Sequence, residues 1–374
     1  MSHFNSRRLL VLVLVLMLGL CAVSVQAQEY RYRFVSLGGI EVPQGFDPFF
    51  WVGSLFLLSP RYYDLKAINN SGKIYGHLFD EFGAPHIAVY AHGKFSIIPE
   101  VSVFEMANEG GTIGGSVLVD AENFIFQAAL FHGSASGQYH VELIPPLPGE
   151  FFGIVMRLND SGKALVSSNF ETLFLYNNGK VQLVDFGPAI ANPDHLNINN
   201  QGIISGSGDV DGIASGFRFD PRTDEVTPLN PLQTDSHSQA LDINELGEVL
   251  GYSFGLDATR RIGVWDRKGE FKTYFVEGTQ EFPTFSNNLL FNNNNLIVIT
   301  HVSAPLTEVG SSYLVPKPGV RLNLADLVEN LPSGQGLQYI FSLNDHGDMI
   351  GIDCPGFVCS PYFLLHRIGA GNGD

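Results

Sequence analysis

An Asn, two variable residues and a Gly, set between apolar runs, recur along this chain at a spacing that few folds can use. The copies are Asn69-Asn-Ser-Gly72, Asn108-Glu-Gly-Gly111, Asn159-Asp-Ser-Gly162, Asn199-Asn-Gln-Gly202, Asn244-Glu-Leu-Gly247 and Asn344-Asp-His-Gly347. A seventh, Asn292-Asn-Asn-Asn295, carries Asn where the others carry Gly. Successive first Asn residues lie 39, 51, 40, 45, 48 and 52 residues apart, roughly the length of a four-stranded propeller blade. A type I turn followed by a left-handed residue needs Gly at its end, because only Gly takes positive φ without a Cβ clash. Asn is the next-best occupant, which accounts for Asn295. Asn at the first position can accept a hydrogen bond from the backbone two residues on.

The flanks read as strands. Ile74-Tyr75, Val249-Leu250 and Met349-Ile350 follow their turns, and a Gly or Ser comes next at Gly76, Gly114, Ser205, Gly251 and Gly351. Aromatic-rich third strands follow, among them Ile87–Tyr90, Leu173–Tyr176, Ile262–Trp265 and Tyr362–Leu365. Turns such as Ala91-His-Gly93 and Asn177-Asn-Gly179 then lead into fourth strands, for example Glu225–Leu229 and Phe271–Phe275. The last repeat stops after its third strand, whereas Tyr30–Leu37 looks like a fourth strand with no blade of its own. Pairing the two closes a ring and removes two sheet edges. The expectation is an all-β, seven-bladed β-propeller closed by its amino-terminal strand, spanning 28–366, with 367–374 as a short tail. Helical periodicity is nearly absent; Leu322–Leu331 is the only candidate.

Residues 1–27 read as an export signal: Arg7 and Arg8, an apolar run from Leu9 to Leu20, and the cleavage site Val25-Gln-Ala27. A lipoprotein reading of Leu18-Gly-Leu-Cys21 is weak, because Leu20 is too large to precede a modified Cys. The expected product is secreted or periplasmic, and is expected to be a monomer and not an integral membrane protein. Cleavage removes two Arg and no acid, taking the net charge from −17 to −19 over 347 residues. That excess argues against nucleic acid and anionic membranes as partners. Cys354 and Cys359 are expected to form a local disulfide in an oxidising compartment.

The repeats run apolar residue, Asn-x-x-Gly (Asn295 in place of Gly in the sixth), apolar strand, aromatic strand and Gly turn, close to an Asn-[Asn/Asp]-x-Gly unit followed by a His-Ala-Phe-like strand. This resembles the HAF-repeat family of bacterial extracellular proteins, over about residues 30–366, with the best match at Ala67–Gly76 followed by His86–Tyr90. Most other copies lack the His. The resemblance implies an exported propeller-like domain and carries over no catalytic residue.

No motif fixes a chemistry. Gly251-Tyr-Ser-Phe-Gly255 matches a hydrolase nucleophile elbow, but it falls on a second strand with no helix after it. Ser207-Gly-Asp-Val-Asp-Gly212 offers Asp209 and Asp211 to a weak Ca2+ site, yet Arg218 stands where the distal acid belongs. The aromatic insert Gly45–Leu58 is the most unusual stretch, and Phe46, Phe49, Phe50 and Trp51 are the first candidates for ligand recognition. The main expectation is a noncatalytic binding scaffold for a protein or glycan, with no catalytic residue and no required cofactor. The alternative is a propeller enzyme, a glycan hydrolase or lyase, with acids or His converging at the central channel.

Overall fold

The Asn-x-x-Gly signature builds the same hairpin at all seven positions. In the computed structural model, Gly72 N–H donates to Asn69 C=O (2.9 Å) and Asn69 N–H to Lys73 C=O (3.1 Å), with Gly72 at φ +73°. The other copies repeat the first bond at 2.9–3.1 Å, and Asn295 takes the Gly position at φ 57°. The structure describes residues 29–38, 43–46, 63–134, 137–169, 171–279, 288–301, 311–353 and 362–369.

Each hairpin joins the first two strands of a four-stranded antiparallel sheet, and there are seven such sheets. Blades 1 to 6 cover residues 63–97, 102–143, 153–184, 190–229, 235–277 and 288–323. Blade 7 takes Tyr339–Leu343, Met349–Ile352 and Phe363–Ile368, and its outer strand is Arg31–Ser36 from the amino terminus. That closing pair runs antiparallel from Arg31 opposite Ile368 to Ser36 opposite Phe363. The last strand therefore continues to Ile368, two residues beyond the expected boundary at 366. Asn330 adds a clamp, accepting from Phe34 N–H (2.7 Å) and donating to Phe34 C=O (3.0 Å).

First strands contact first strands all the way round, so they line the axis. The apolar core lies between blades, in seven clusters, one per interface. Tyr75 and Phe104 join blades 1 and 2, Phe174 and Val155 lie between blades 2 and 3, and Trp265 fills the 4–5 interface. Small residues on the second strands have a steric cause. A Cβ at Gly251 would run into the Gln239 carbonyl of the bulged inner strand. The Leu322–Leu331 segment forms only one 3₁₀ turn, Leu324–Leu327, capped by Asn323. A strand occupies Val320–Asn323 and leaves too few residues for a helix.

Antiparallel order fixes what each face carries. First-to-second and third-to-fourth turns lie on one face, here the Asn face. Second-to-third turns and the blade-to-blade connections lie on the other, the loop face.

Candidate functional site

At the Asn face the seven turn asparagines form a belt. Each side-chain oxygen accepts from its own turn, as Asn159 Oδ1 does from Lys163 N–H (2.8 Å). Each Nδ2 then reaches the next blade: Asn108 to Asn159 C=O (3.0 Å), Asn159 to Asn199 C=O (2.8 Å) and Asn199 to Asn244 C=O (3.4 Å). Asn292 donates to Asn344 C=O (2.9 Å), and Asn344 to Asn69 C=O (3.0 Å). Asn69 reaches Glu109 C=O (3.4 Å). Asn244 instead meets the Asn295 side-chain oxygen (2.8 Å), so the one turn without Gly supplies an acceptor that Gly could not.

A second belt uses the residue after each Asn. The Asn70 N–H donates to Glu109 Oε2, Glu109 N–H to Asp160 Oδ1 (2.8 Å), and Asn200 N–H to Glu245 Oε2 (2.7 Å). Glu245 N–H donates to Asn293, Asn293 N–H to Asp345, and Asp345 N–H to Asn70, at 2.7–2.9 Å. Ser161 N–H donates to Asn200 Oδ1 (3.1 Å) and carries the belt past blade 3. Glu109, Asp160, Glu245 and Asp345 consequently line a cavity of about 260 Å³ at the channel mouth. Burial, then Asp345 and Asp160, push the Glu109 carboxyl up to about 7, and Glu245 is raised for the same reasons. Below the mouth, Arg157 Nε donates to Asn197 Oδ1 (2.5 Å), and Asn197 Nδ2 to Leu241 C=O (2.6 Å). Asp242 lies beside Arg157, and burial pushes its carboxyl up to about 6.

So acids do converge at the channel, as the enzyme alternative expects; Glu109, Asp160, Glu245 and Asp345 each commit an oxygen to an inter-blade backbone N–H, whereas Asp242 accepts from Ile243 N–H of its own strand (2.8 Å). Among the described residues histidines do not converge there: His77 accepts from Phe104 N–H (2.6 Å), His86 faces Asp80, and His132 pairs with Glu142 (2.8 Å). Among the described residues, no three His, Cys, Asp or Glu side chains stand at metal-holding spacing.

The loop face has a different character. Its tips carry Phe82, Phe124 and Leu256, exposed to 82%, 76% and 81%, together with Phe151 and Ile213. The Asn face exposes one large apolar turn residue among those described, Leu246. Acids surround the apolar tips, including Asp80, Asp120, Glu171, Asp194, Asp211 and Asp257. Among the described residues the cations here are Arg260 and Arg261. Arg260 pairs with buried Glu277 (2.6 Å), and Arg261 with buried Asp235 (2.9 Å). Lys73, Lys163, Lys180, Arg267, Lys268 and Lys317 all lie at the Asn face.

Of the residues expected to recognise a ligand, Phe46 bridges to Asp80 at the loop face and meets His86 edge-on (5.4 Å). It packs against the core between blades 7 and 1 and is not a free tip. Phe49, Phe50 and Trp51 lie outside the described residues, as do Cys354, Cys359 and the export signal. Asp209 accepts weakly from Asn192 (3.4 Å), while Asp211 sits at φ 50° in the turn ahead of Gly212. The 251–255 motif is a second strand, Val249–Gly255, paired on both sides, which removes the elbow reading. The loop-face tips went unnoticed in sequence because single apolar residues in polar turns carry no periodicity.

No family model matches this chain, and no curated protein matches it. Among solved structures, similar ones include TolB from Acinetobacter baumannii, at 12% identity and TM-score 0.43, covering 71% of this chain and 65% of that one. The Dos1 propeller is similar at 13% identity and TM-score 0.45, covering 84% and 81%. An acylaminoacyl peptidase from Pyrococcus horikoshii is similar at 12% identity and TM-score 0.46, covering 79% of this chain and 51% of the peptidase. The chain thus spans about two thirds of TolB and half of the peptidase. At these values no residue role passes from any of them to this chain.

Proposed function

We propose that this chain is an exported, noncatalytic propeller scaffold of the HAF-repeat kind that docks a protein partner through its loop face. The observation behind this reading is the one-sided placement of exposed apolar tips: Phe82, Phe124, Phe151, Ile213 and Leu256 all lie at loop-face turns. Leaving large apolar side chains in water is unfavourable, by about 1.5–3 kcal/mol each relative to full burial, and a covering surface recovers part of that. The acids around them favour a partner with a basic rim. Export rests on Arg7, Arg8, the Leu9–Leu20 run and Val25-Gln-Ala27. Among the described residues no helix is long and apolar enough to cross a membrane.

The test uses the mature chain, immobilised, with proteins of its own envelope and culture fluid. A partner retained by wild type and by Leu246→Ser, but lost by a Phe82→Ser/Phe124→Ser/Leu256→Ser variant of unchanged thermal midpoint, supports docking. Retention by the triple variant refutes it.

A second reading, a glycan hydrolase or lyase, draws on Glu109. A carboxyl titrating near neutrality beside other carboxylates is what a general acid requires. Turnover of a polysaccharide that disappears in Glu109→Gln would decide for the enzyme.

A further inference from the structure

Between blades 4 and 5, at the loop face, lies a cleft of about 300 Å³. The two inner strands flanking it are built unlike the others. Blade 4's inner strand shifts register twice, at 191/194 and at 194/197, and blade 5's twice, at 235/237 and 240/242. Inner strands of blades 1, 2, 3 and 7 shift once, and that of blade 6 not at all. The extra bulge in each flanking strand lies at its loop-face end, where bulges serve to re-aim side chains. In blade 4 it holds Asn192 at φ 52°, and the adjoining 194/197 shift holds His195 at φ 53°, a backbone region that non-Gly residues occupy at a cost.

The lining is mixed. His237 and Phe254 stack at 4.2 Å and 4° to form an aromatic wall, and His237 Nδ1 is held by Ser236 Oγ (2.8 Å). Opposite polar groups come from Asn192, Asp194 and Asp209 of blade 4. Two side chains lining the cleft bond to no other described group: the Gln239 carboxamide, and the hydroxyl of Ser215, whose residue is 95% buried. Both groups are left to hydrogen-bond whatever enters the cleft.

The geometry points to a saccharide subsite that takes one neutral hexopyranose unit. Such a ring presents C–H groups to an aromatic wall and hydroxyls at its rim. Ser215 and Gln239 each donate and accept, which matches hydroxyls; Asp209 accepts from them. Asp194 and Asp209 oppose an anionic ligand, and a lipid chain would leave the Asp194, Asp209, Ser215 and Gln239 polar groups without partners. The cleft lies on the face proposed for docking but shares none of the residues varied in the docking test, so the two readings fail separately.

The test is saturation-transfer NMR on the mature chain with glucose, galactose and N-acetylglucosamine at millimolar concentration, following the His195 and His237 ring resonances. The expected result is transfer from at least one sugar with movement of the His237 signals. It should weaken about tenfold or more in Gln239→Leu and in Ser215→Val, as for a lost hydrogen bond to a polar ligand group. Leu246→Ser, at the Asn face, should leave it unchanged. Far-UV circular dichroism confirms that each variant is folded. Absence of transfer from all three sugars overturns the assignment. So does transfer that survives in both variants, or His237 shifts produced by 1,5-diaminopentane and by no sugar, which would mark an acidic cleft for amines.

Discussion

Replacing Asn159 by aspartate changes one nitrogen to oxygen and tests whether the turn asparagines bind the blades together. Asn159 is 3% exposed and makes three bonds: Oδ1 accepts from Lys163 N–H and Ser161 Oγ–H, and Nδ2 donates to Asn199 C=O, all at 2.8 Å. Aspartate keeps the first two and loses the third. One buried hydrogen bond is worth about 1 kcal/mol, and leaving the Asn199 carbonyl facing a carboxylate oxygen costs about 1–3 more. The expected loss is therefore about 2–4 kcal/mol at pH 8. With an unfolding entropy of about 2.1 cal/mol/K per residue, 3 kcal/mol lowers the Tm of a chain of this size by about 4 °C.

The pH dependence distinguishes this cause from general damage. Once protonated, the introduced carboxyl would donate to Asn199 C=O and restore the bond. Burial raises its folded pKa above the unfolded value of about 3.9. The penalty is thus absent below about pH 4, grows as pH rises through the folded pKa, and is complete above it. Asn159→Ala should be destabilised equally at both ends of the range. Asn178→Asp, in an exposed turn, should stay within about 0.5 kcal/mol of wild type. Urea unfolding at pH 4.5 and 8 reads all three. An Asn159→Asp penalty below about 0.5 kcal/mol at pH 8, or one that does not shrink towards pH 4.5, would refute the belt as an energetic device.

The other expectations concern neighbouring groups. Glu109→Gln keeps an acceptor for Asn70 N–H but removes a carboxylate raised to about 7 by burial and by Asp345 and Asp160. Since that folded pKa exceeds the unfolded one, wild type should lose stability relative to the variant between about pH 4.3 and 7, by about 1–3 kcal/mol, in paired urea titrations. Asn295→Gly relieves a positive φ yet deletes one of the two acceptors of Asn244 Nδ2, the other being Glu248 Oε2 (3.0 Å). A relief of about 1 kcal/mol is offset by the unfolded-state entropy that Gly adds, about 0.4–1 kcal/mol, and the lost hydrogen bond costs about 0.5–1.5 kcal/mol more, so the substitution lowers the urea midpoint. Arg260→Met strands fully buried Glu277 and should cost about 3 kcal/mol or more, with most of it recovered in Arg260→Met/Glu277→Gln, as a thermal-melt cycle would show.

The architecture was legible because its constraint is local. A left-handed residue closing a hairpin demands Gly, so Gly72, Gly111, Gly162, Gly202, Gly247 and Gly347 mark the turns without help from tertiary structure. Ring closure followed from counting a strand too few at one end and a strand too many at the other. The second role of the Asn was hidden. Its choice over Asp at all seven turns is visible in sequence, but the reason is a carbonyl about 40–50 residues away. The recognition features were less legible still. Phe46 stood out by composition and proves to be tucked beneath His86, while the exposed tips are scattered single residues. The cleft depends on bulge register, whose only trace is Asn192-Pro-Asp-His195, turn chemistry inside what should be strand.

The two faces are under opposite constraints, and this decides where function can reside. At the Asn face each turn is bonded to both neighbours, through the Asn amide and through the N–H of the following residue or, in blade 3, of Ser161. Lengthening one such turn would break bonds in two blades, so this face is fixed in length and nearly fixed in chemistry. The second-to-third turns and blade connections of the loop face have no equivalent belt among the described residues. They range from the two-residue turn of Asp211-Gly212 to the long approach to blade 1 before Tyr63. Variation there leaves the inter-blade bonds intact, and binding residues can accumulate on loops that a rigid frame holds in place. The exposed aromatics, the acids around them and the bulged cleft all lie on that side. The axial acids Glu109, Asp160, Glu245 and Asp345 lie on the opposite side, each with one oxygen bonded into the frame.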